Sequence, residues 1–232
     1  MIRLKNLVIG FTQPILEVNE IYLERGKVYA LVGANGRGKT TLLKTINGVQ
    51  KPISGELHLD EISIHELNRE QIARKIAFVT SKFEGVEHLT VYQYIALGRT
   101  PYLGLFGRLT PADHQLVIEA MDQLGLRSFS DRITAELSDG ERQMASIARA
   151  LAQDCPIITL DEPTAFLDYA NKDRIVELLI SIANSKGKCI LFSTHDLDLI
   201  QRKSIPVLLA QSTKKLYLND KYSSVDELME TY

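Results

Sequence analysis

Lys27-Val28-Tyr29-Ala30-Leu31-Val32-Gly33-Ala34-Asn35-Gly36-Arg37-Gly38-Lys39-Thr40-Thr41-Leu42-Leu43-Lys44-Thr45-Ile46-Asn47 changes character twice along its length. Lys27 to Val32 is a short apolar run suited to a buried strand. A glycine-rich loop follows, and Lys39 to Asn47 then has helical spacing that stops at Gly48. The loop, Gly33 to Thr40, fits G-x-x-x-x-G-K-[ST] and lies between strand and helix, as that pattern requires. Its glycines let the backbone wrap closely round a phosphate chain, with successive N–H groups and a helix N-terminus facing the anion. The candidate phosphate-binding residues are therefore Gly33, Ala34, Asn35, Gly36, Arg37, Gly38, Lys39, Thr40 and Thr41. Lys39 would place a point charge on the β- and γ-phosphates, and the Thr40 hydroxyl would be a ligand to Mg²⁺.

Two further apolar runs, Ile157 to Leu160 and Cys189 to Ser193, read as buried strands, each followed by a helical segment. The amphipathic stretch Tyr169 to Lys186 between them should pack on the sheet. Strands separated by helices predict a mainly parallel sheet with crossovers. The first run ends in Asp161-Glu162. Asp161 is the candidate Mg²⁺ ligand and Glu162 the group that orients or deprotonates an attacking water. The second run leads into Ser193-Thr194-His195-Asp196, which puts His195 where α/β sheets bind ligands. His195 is the second candidate catalytic residue, expected to contact the γ-phosphate.

Residues 89–152 carry helical patterns and almost no strand signal. Thr110-Pro111-Ala112-Asp113 offers an N-cap, a proline at the first helical position and an acid three residues on, starting a helix that runs to about Gly125. The fold expected is α/β: a single domain over 1–232, with a nucleotide-binding core of 1–84 and 153–232 and a helical subdomain of 85–152. Residues 1–30 are expected to form an antiparallel flank on the main sheet. A hairpin (VLLA, then KLYL) and a short final helix are expected after Ile205.

The 232 residues can bury a substantial core, and 45% apolar with 24% charged residues is ordinary for a globular protein. A formal net charge of -2 argues against a broad affinity for nucleic acid. No apolar run approaches the length of a bilayer, and the first residues lack a signal-peptide pattern, so a cytosolic protein is expected. Cys155 and Cys189 read as small buried hydrophobes.

Leu137-Ser138-Asp139-Gly140-Glu141-Arg142-Gln143 resembles the signature sequence of ATP-binding-cassette (ABC) ATPases. The rest of the chain follows that family's layout: an early aromatic (Phe11), the phosphate loop, the signature, the acid pair, Asp168 in PTAFLD, and the histidine. The resemblance implies a P-loop NTPase core and a head-to-tail homodimer with two ATP molecules. Each ATP would be held between one subunit's phosphate loop and Ser138, Gly140 and Glu141 of the other. It implies Asp168 at the dimer seam; Phe11 is either an adenine-stacking residue or a core phenylalanine. Leu89-Thr90-Val91, then Ala96 to Tyr102, then Gly104 to Arg108, is similar to ATPases of importers for iron-siderophores, haem and cobalamin. Polytopic permease subunits, and through them a substrate-binding protein, are the partners this implies, on the cytoplasmic face of the membrane.

Two positions depart from the family. Ser81 stands where a glutamine is usual, too short for the same direct reach, and Arg37 stands where a small residue is usual. Arg37 adds charge near the phosphates, or near the seam, or points to solvent. The rival functions are a soluble ATPase of the same fold and a nucleotide-gated module with negligible turnover. Kinase and dinucleotide-oxidoreductase functions do not fit the glycine pattern.

Overall fold

The computed structural model describes residues 1–104 and 106–220. The short final helix expected after the hairpin lies outside the described residues, as does Leu105.

The main sheet contains β3 (Val28–Val32), β6 (Ile76–Val79), β7 (Ile157–Leu160), β8 (Cys189–Ser193), β9 (Val207–Ala210) and β10 (Leu216–Asn219) in the order β10-β9-β3-β8-β7-β6. All its pairings are parallel except the hairpin β9–β10. β3, β7, β8 and β9 are buried throughout, as strands covered on both faces must be. On one face lies α6 (Tyr169–Lys186), which buries Ile175, Val176, Leu179 and Ile182 and stops at Gly187 in the left-handed region. On the other, α1 (Lys39–Ile46) buries Leu42, Leu43 and Ile46, each worth about 1.5–3 kcal/mol of burial.

The N-terminal strands form a sheet of their own rather than extending the main one. β1 (Ile2–Gly10) pairs antiparallel with β2 (Pro14–Leu23) on one side and β4 (Ser54–Leu59) on the other, and β5 (Ile62–Ser63) completes the order β2-β1-β4-β5. The reason is valence: both edges of β1 are taken by antiparallel partners, and β3 already has β8 and β9 beside it. The flank touches the main sheet's hairpin at one bridge, Glu17 to Lys215. Its inner residues Ile2, Leu4, Leu7, Leu57 and Leu59 close over α1 in a shared core.

The helical segment contains α3 (Val91–Ala96), α4 (Pro111–Gln123) and α5 (Asp139–Ala152). Each begins with a reciprocal capping box, built by Thr90 with Gln93, Thr110 with Asp113, and Ser138 with Glu141. Asp113 does more than cap. Its Oδ1 accepts from Arg99 Nε at 2.8 Å, and Arg99 Nη1 donates to the carbonyls of Ala152 and Gln153 at 2.9 and 3.0 Å, tying α4 to the end of α5. Both side chains are buried. α5 is in turn joined to β6 and to α2 (Arg69–Lys75) before it: Arg149 Nη2 donates to Phe78 O at 3.1 Å, and Gln153 Nε2, just past α5, donates to Ile76 O at 3.1 Å and Ala73 O at 2.5 Å.

The hydrogen bonds from Thr110, and then from Arg99, hold the Asp113 carboxyl down at about 2. A carboxylate with a depressed folded-state pKa stabilises fully above its ordinary value of 3.8, and that contribution is lost as the pH falls toward 2. Asp113→Asn, which leaves the Arg99 charge buried without its partner, should therefore cost about 3–5 kcal/mol at neutral pH. Denaturant melts should show the gap between variant and parent closing as the pH is lowered from 4 to 2.

Candidate functional site

Three parallel strands, β3, β8 and β7, lie side by side and end at one edge of the sheet. The loop after β3 is the glycine-rich one. Gly33 sits so close to β9 that a Cβ would fall 2.9 Å from Ala210, and Gly38 has φ 88° with Ile15 beneath it, so neither position accepts a side chain without strain. Gly38 is also the N-cap of α1 and makes no side-chain cap bond. The first amides of α1 thus lack a capping side chain, which is the arrangement that receives an anion.

Lys39 is buried, and its Nζ donates to Gly33 O at 2.5 Å and Ala34 O at 3.3 Å. Burial pushes its ammonium pKa down, while the nearby carboxylates of Glu162 and Asp161 act in the opposite sense. A buried ammonium that donates to two backbone carbonyls and faces two acids is poised to take phosphate oxygens.

Asp161 is buried between two hydroxyls. Thr40 Oγ1 donates to its Oδ2 at 2.7 Å, and Ser193 Oγ donates to its Oδ1 at 2.7 Å. The same Ser193 Oγ accepts from Glu162 N at 2.8 Å. The chain turns sharply at Glu162, whose φ of 48° is unusual for a residue with a side chain. That turn carries Glu162 off the strand line, so neighbouring acids can serve one site. Glu162 Oε1 lies 2.8 Å from His195 Nε2, which is also 3.3 Å from Lys39 Nζ. A ring nitrogen donating to the carboxylate has no lone pair left for the ammonium, so the Glu162 bond sets the tautomer.

Lys39, Thr40, Asp161, Glu162 and His195 are thus brought together. Ser193 belongs with them, and the sequence marks it only as the last residue of a buried strand. The oxygen pair of Thr40 and Asp161 suits a small hard cation. Among the described residues no cluster of three or more His, Cys, Asp or Glu could hold a metal alone, so phosphate oxygens and water would complete the shell.

Other expected site residues lie apart from this cluster. Phe11 is 72% exposed at the β1–β2 turn, which rules out its being a core residue. Ser138, Gly140 and Glu141 begin α5 and share a groove with Asp168, the N-cap of α6, and with Phe166 and Leu167. The residues lining that groove do not include the phosphate loop. The Ser138 hydroxyl donates to Glu141 Oε2 at 2.8 Å within the capping box, and the Ser138 backbone N–H bond to the same carboxylate is the main cause of its lowered pKa.

Ser81 follows β6 beside the acids, since Asp161 N donates to Val79 O. The rest of its loop is pinned to the helical segment: Phe83 stacks on Tyr94 at 4.1 Å, and Val86 exchanges two hydrogen bonds with Thr134.

A glycine-rich loop before a helix, a buried carboxylate bonded to that loop's threonine and a second acid in contact with a histidine, all at the carboxyl edge of a parallel sheet, define a P-loop ATPase. The ABC transporter family model matches residues 16–165, more than half of the chain, and the chain belongs to that family. As a member it binds and hydrolyses ATP as the motor subunit of a transporter. Among relatives, it is 37% identical to an achromobactin transport ATP-binding protein of Dickeya dadantii, over 85% of this chain and 74% of that one. It is 35% identical to an iron(3+)-hydroxamate import ATP-binding protein of Bacillus subtilis, over 84% and 72%. Among solved structures, an inward-facing metal-chelate type ABC transporter superposes with TM-score 0.80 at 29% identity, covering 94% of this chain and 82% of that one. A dimeric ATP-binding cassette in a post-hydrolysis state with ADP and Pi superposes with TM-score 0.83 at 25% identity, over 97% and 100%.

Ser193→Ala should leave the Glu162 amide and one Asp161 oxygen without their partner. The expected loss is about 1–3 kcal/mol of stability, together with slower phosphate release, and Ser193→Thr should recover much of both. Thermal melts and phosphate-release assays on the two variants check this.

Proposed function

We propose that the chain is the Mg²⁺-dependent ATPase of an importer for a metal-chelate cargo of the iron-siderophore, haem or cobalamin type. The observation that carries the catalytic part is the bond from Thr40 to Asp161, which joins the phosphate loop to the acid pair. Mg²⁺, held through Thr40 and Asp161, would neutralise charge on the phosphates. The loop amides, from Gly33 to Thr41 and including Arg37, together with Lys39, bind and orient the nucleotide, and Phe11 offers an exposed ring to the adenine. Glu162 orients the water and accepts its proton, while His195 holds the Glu162 carboxylate in position through the 2.8 Å contact.

Two copies arranged head to tail would bring Ser138, Gly140 and Glu141 of one subunit onto the nucleotide of the other, with Asp168 at the seam. The separation of the two surfaces within one chain supports this, because each copy carries both halves and cannot close them on itself. Among the described residues no helix is long and apolar enough to cross a membrane. Membrane attachment would therefore come from a permease docked on residues 81–87 and the helical subdomain of 85–152, with a substrate-binding protein engaged on the far side. The chain would then sit peripherally on the cytoplasmic face. The cargo class rests on the names of the relatives and on the likeness of residues 89–108.

Glu162→Gln should lower Mg²⁺-dependent phosphate release by roughly 10²–10⁴-fold while ATP still binds. His195→Ala should slow release with a smaller effect on ATP affinity. Undiminished turnover in Glu162→Gln would remove the base assignment. Affinity capture of the tagged chain from solubilised native membranes should recover a polytopic permease; recovery of soluble partners alone would remove the importer assignment.

A further inference from the structure

The groove at the start of α5 has an unusual charge for a surface that must meet a nucleotide. Its lining includes Asp139, Glu141 and Asp168 and no basic residue. Asp139 is the outermost of the signature acids, with its side chain 64% exposed. It bonds Arg142 at 2.5 Å through Oδ1, but its own side chain faces solvent, and a carboxylate bonded to a neighbour on one helix is readily shared. Two of these acids lie in the first turn of α5, so they stabilise the helix while opposing the approach of a polyphosphate.

The opposite charge is on the phosphate loop. Arg37 is half-buried at the loop's rim, and among the described residues its guanidinium has no hydrogen-bond or ion-pair partner, although its backbone N–H closes the turn to Ala34 O. A guanidinium is charged at any working pH and favours planar bidentate pairing with a carboxylate.

We infer that Arg37 of one copy pairs across the seam with Asp139 of a second copy of this chain, offsetting the repulsion between the acidic signature and the bound triphosphate and selecting like for like. The inference rests on the head-to-tail arrangement proposed above. It names the occupant of the groove as the phosphate loop of an identical chain, because the Arg37 guanidinium and the acidic rim complement each other.

Charge reversal tests it in full-length Glu162→Gln protein with Mg²⁺-ATP, followed by sedimentation velocity. The parent should dimerise, and less so as NaCl is raised. Arg37→Glu alone and Asp139→Arg alone each set like charges opposite one another twice per dimer, and each should weaken dimerisation by roughly tenfold or more. An equimolar mixture of the two should dimerise again, because every 37–139 contact in the mixed dimer is then of opposite sign. The mixed dimer keeps one wholly native site, so the stricter arm is a single chain carrying both Arg37→Glu and Asp139→Arg: opposite charges at both contacts should restore its dimerisation, whereas a fault in folding or in ATP binding would persist in it. Arg37→Gln and Asp139→Asn serve as milder versions if either reversal lowers the melting temperature. Single variants that dimerise like the parent, or a mixture that stays monomeric, would overturn the pairing while leaving the head-to-tail dimer in place. A parent that stays monomeric with ATP would overturn both. The native Cys155 and Cys189 are buried, with their thiols pushed up to about 12, so an Arg37→Cys, Asp139→Cys chain gives a second readout. A disulfide between copies should form with ATP, and its absence counts against the contact.

Discussion

The Asp161 carboxylate is where three separate stretches of chain meet. One oxygen takes the Thr40 hydroxyl and the other the Ser193 hydroxyl, whose oxygen in turn receives the Glu162 amide. A charge this buried is tolerated only when its lone pairs are occupied, and here protein donors occupy both oxygens. The geometry of the glycine-rich loop, of Glu162 and of the end of β8 all depend on that one group. Its own position is fixed by the neighbouring strand β6, through the bond from its amide to Val79 O.

Around this point the sheet acts as a ruler. Parallel pairing in the order β3-β8-β7 makes three strand ends coincide, so loops distant in the sequence deliver Lys39, Glu162 and His195 to one place. The left-handed turn at Glu162 is the local strain accepted for this convergence. The helical segment is braced on the neighbouring strand, because Arg149 of α5 and Gln153 at its C-terminal cap bond to the backbone carbonyls of Phe78 and Ile76 in β6, while Ser138 and Gly140 stand at the far end of that helix. A rigid rod therefore links the neighbourhood of the acids to the surface expected to meet a partner.

Much of this was legible in the chain. Strand and helix periods placed β3, α1, β7, α6 and β8, because buried strands and amphipathic helices write their burial directly into side-chain order. The capping box at Thr110 and the stop at Gly48 were legible because they join residues a few positions apart. The pairing of β1 with β4 was not, since β-strand partners are chosen by long-range register rather than by local preference. Ser193 escaped notice for a similar reason: a serine closing an apolar strand has no local mark of function, and only its neighbours across the sheet give it one.

By itself, then, the sequence determined the phosphate loop, the acid pair, the histidine, the signature and the alternation of strands and helices. Each is a short-range pattern set by backbone geometry and side-chain chemistry. Tertiary structure alone decided that Thr40 reaches Asp161 across 121 positions, that the flank is a separate sheet, and that Ser138 and Asp168 share a groove away from the phosphate loop. Those outcomes depend on which strands pair and which faces are buried together. They are properties of the whole packed core and not of any one segment.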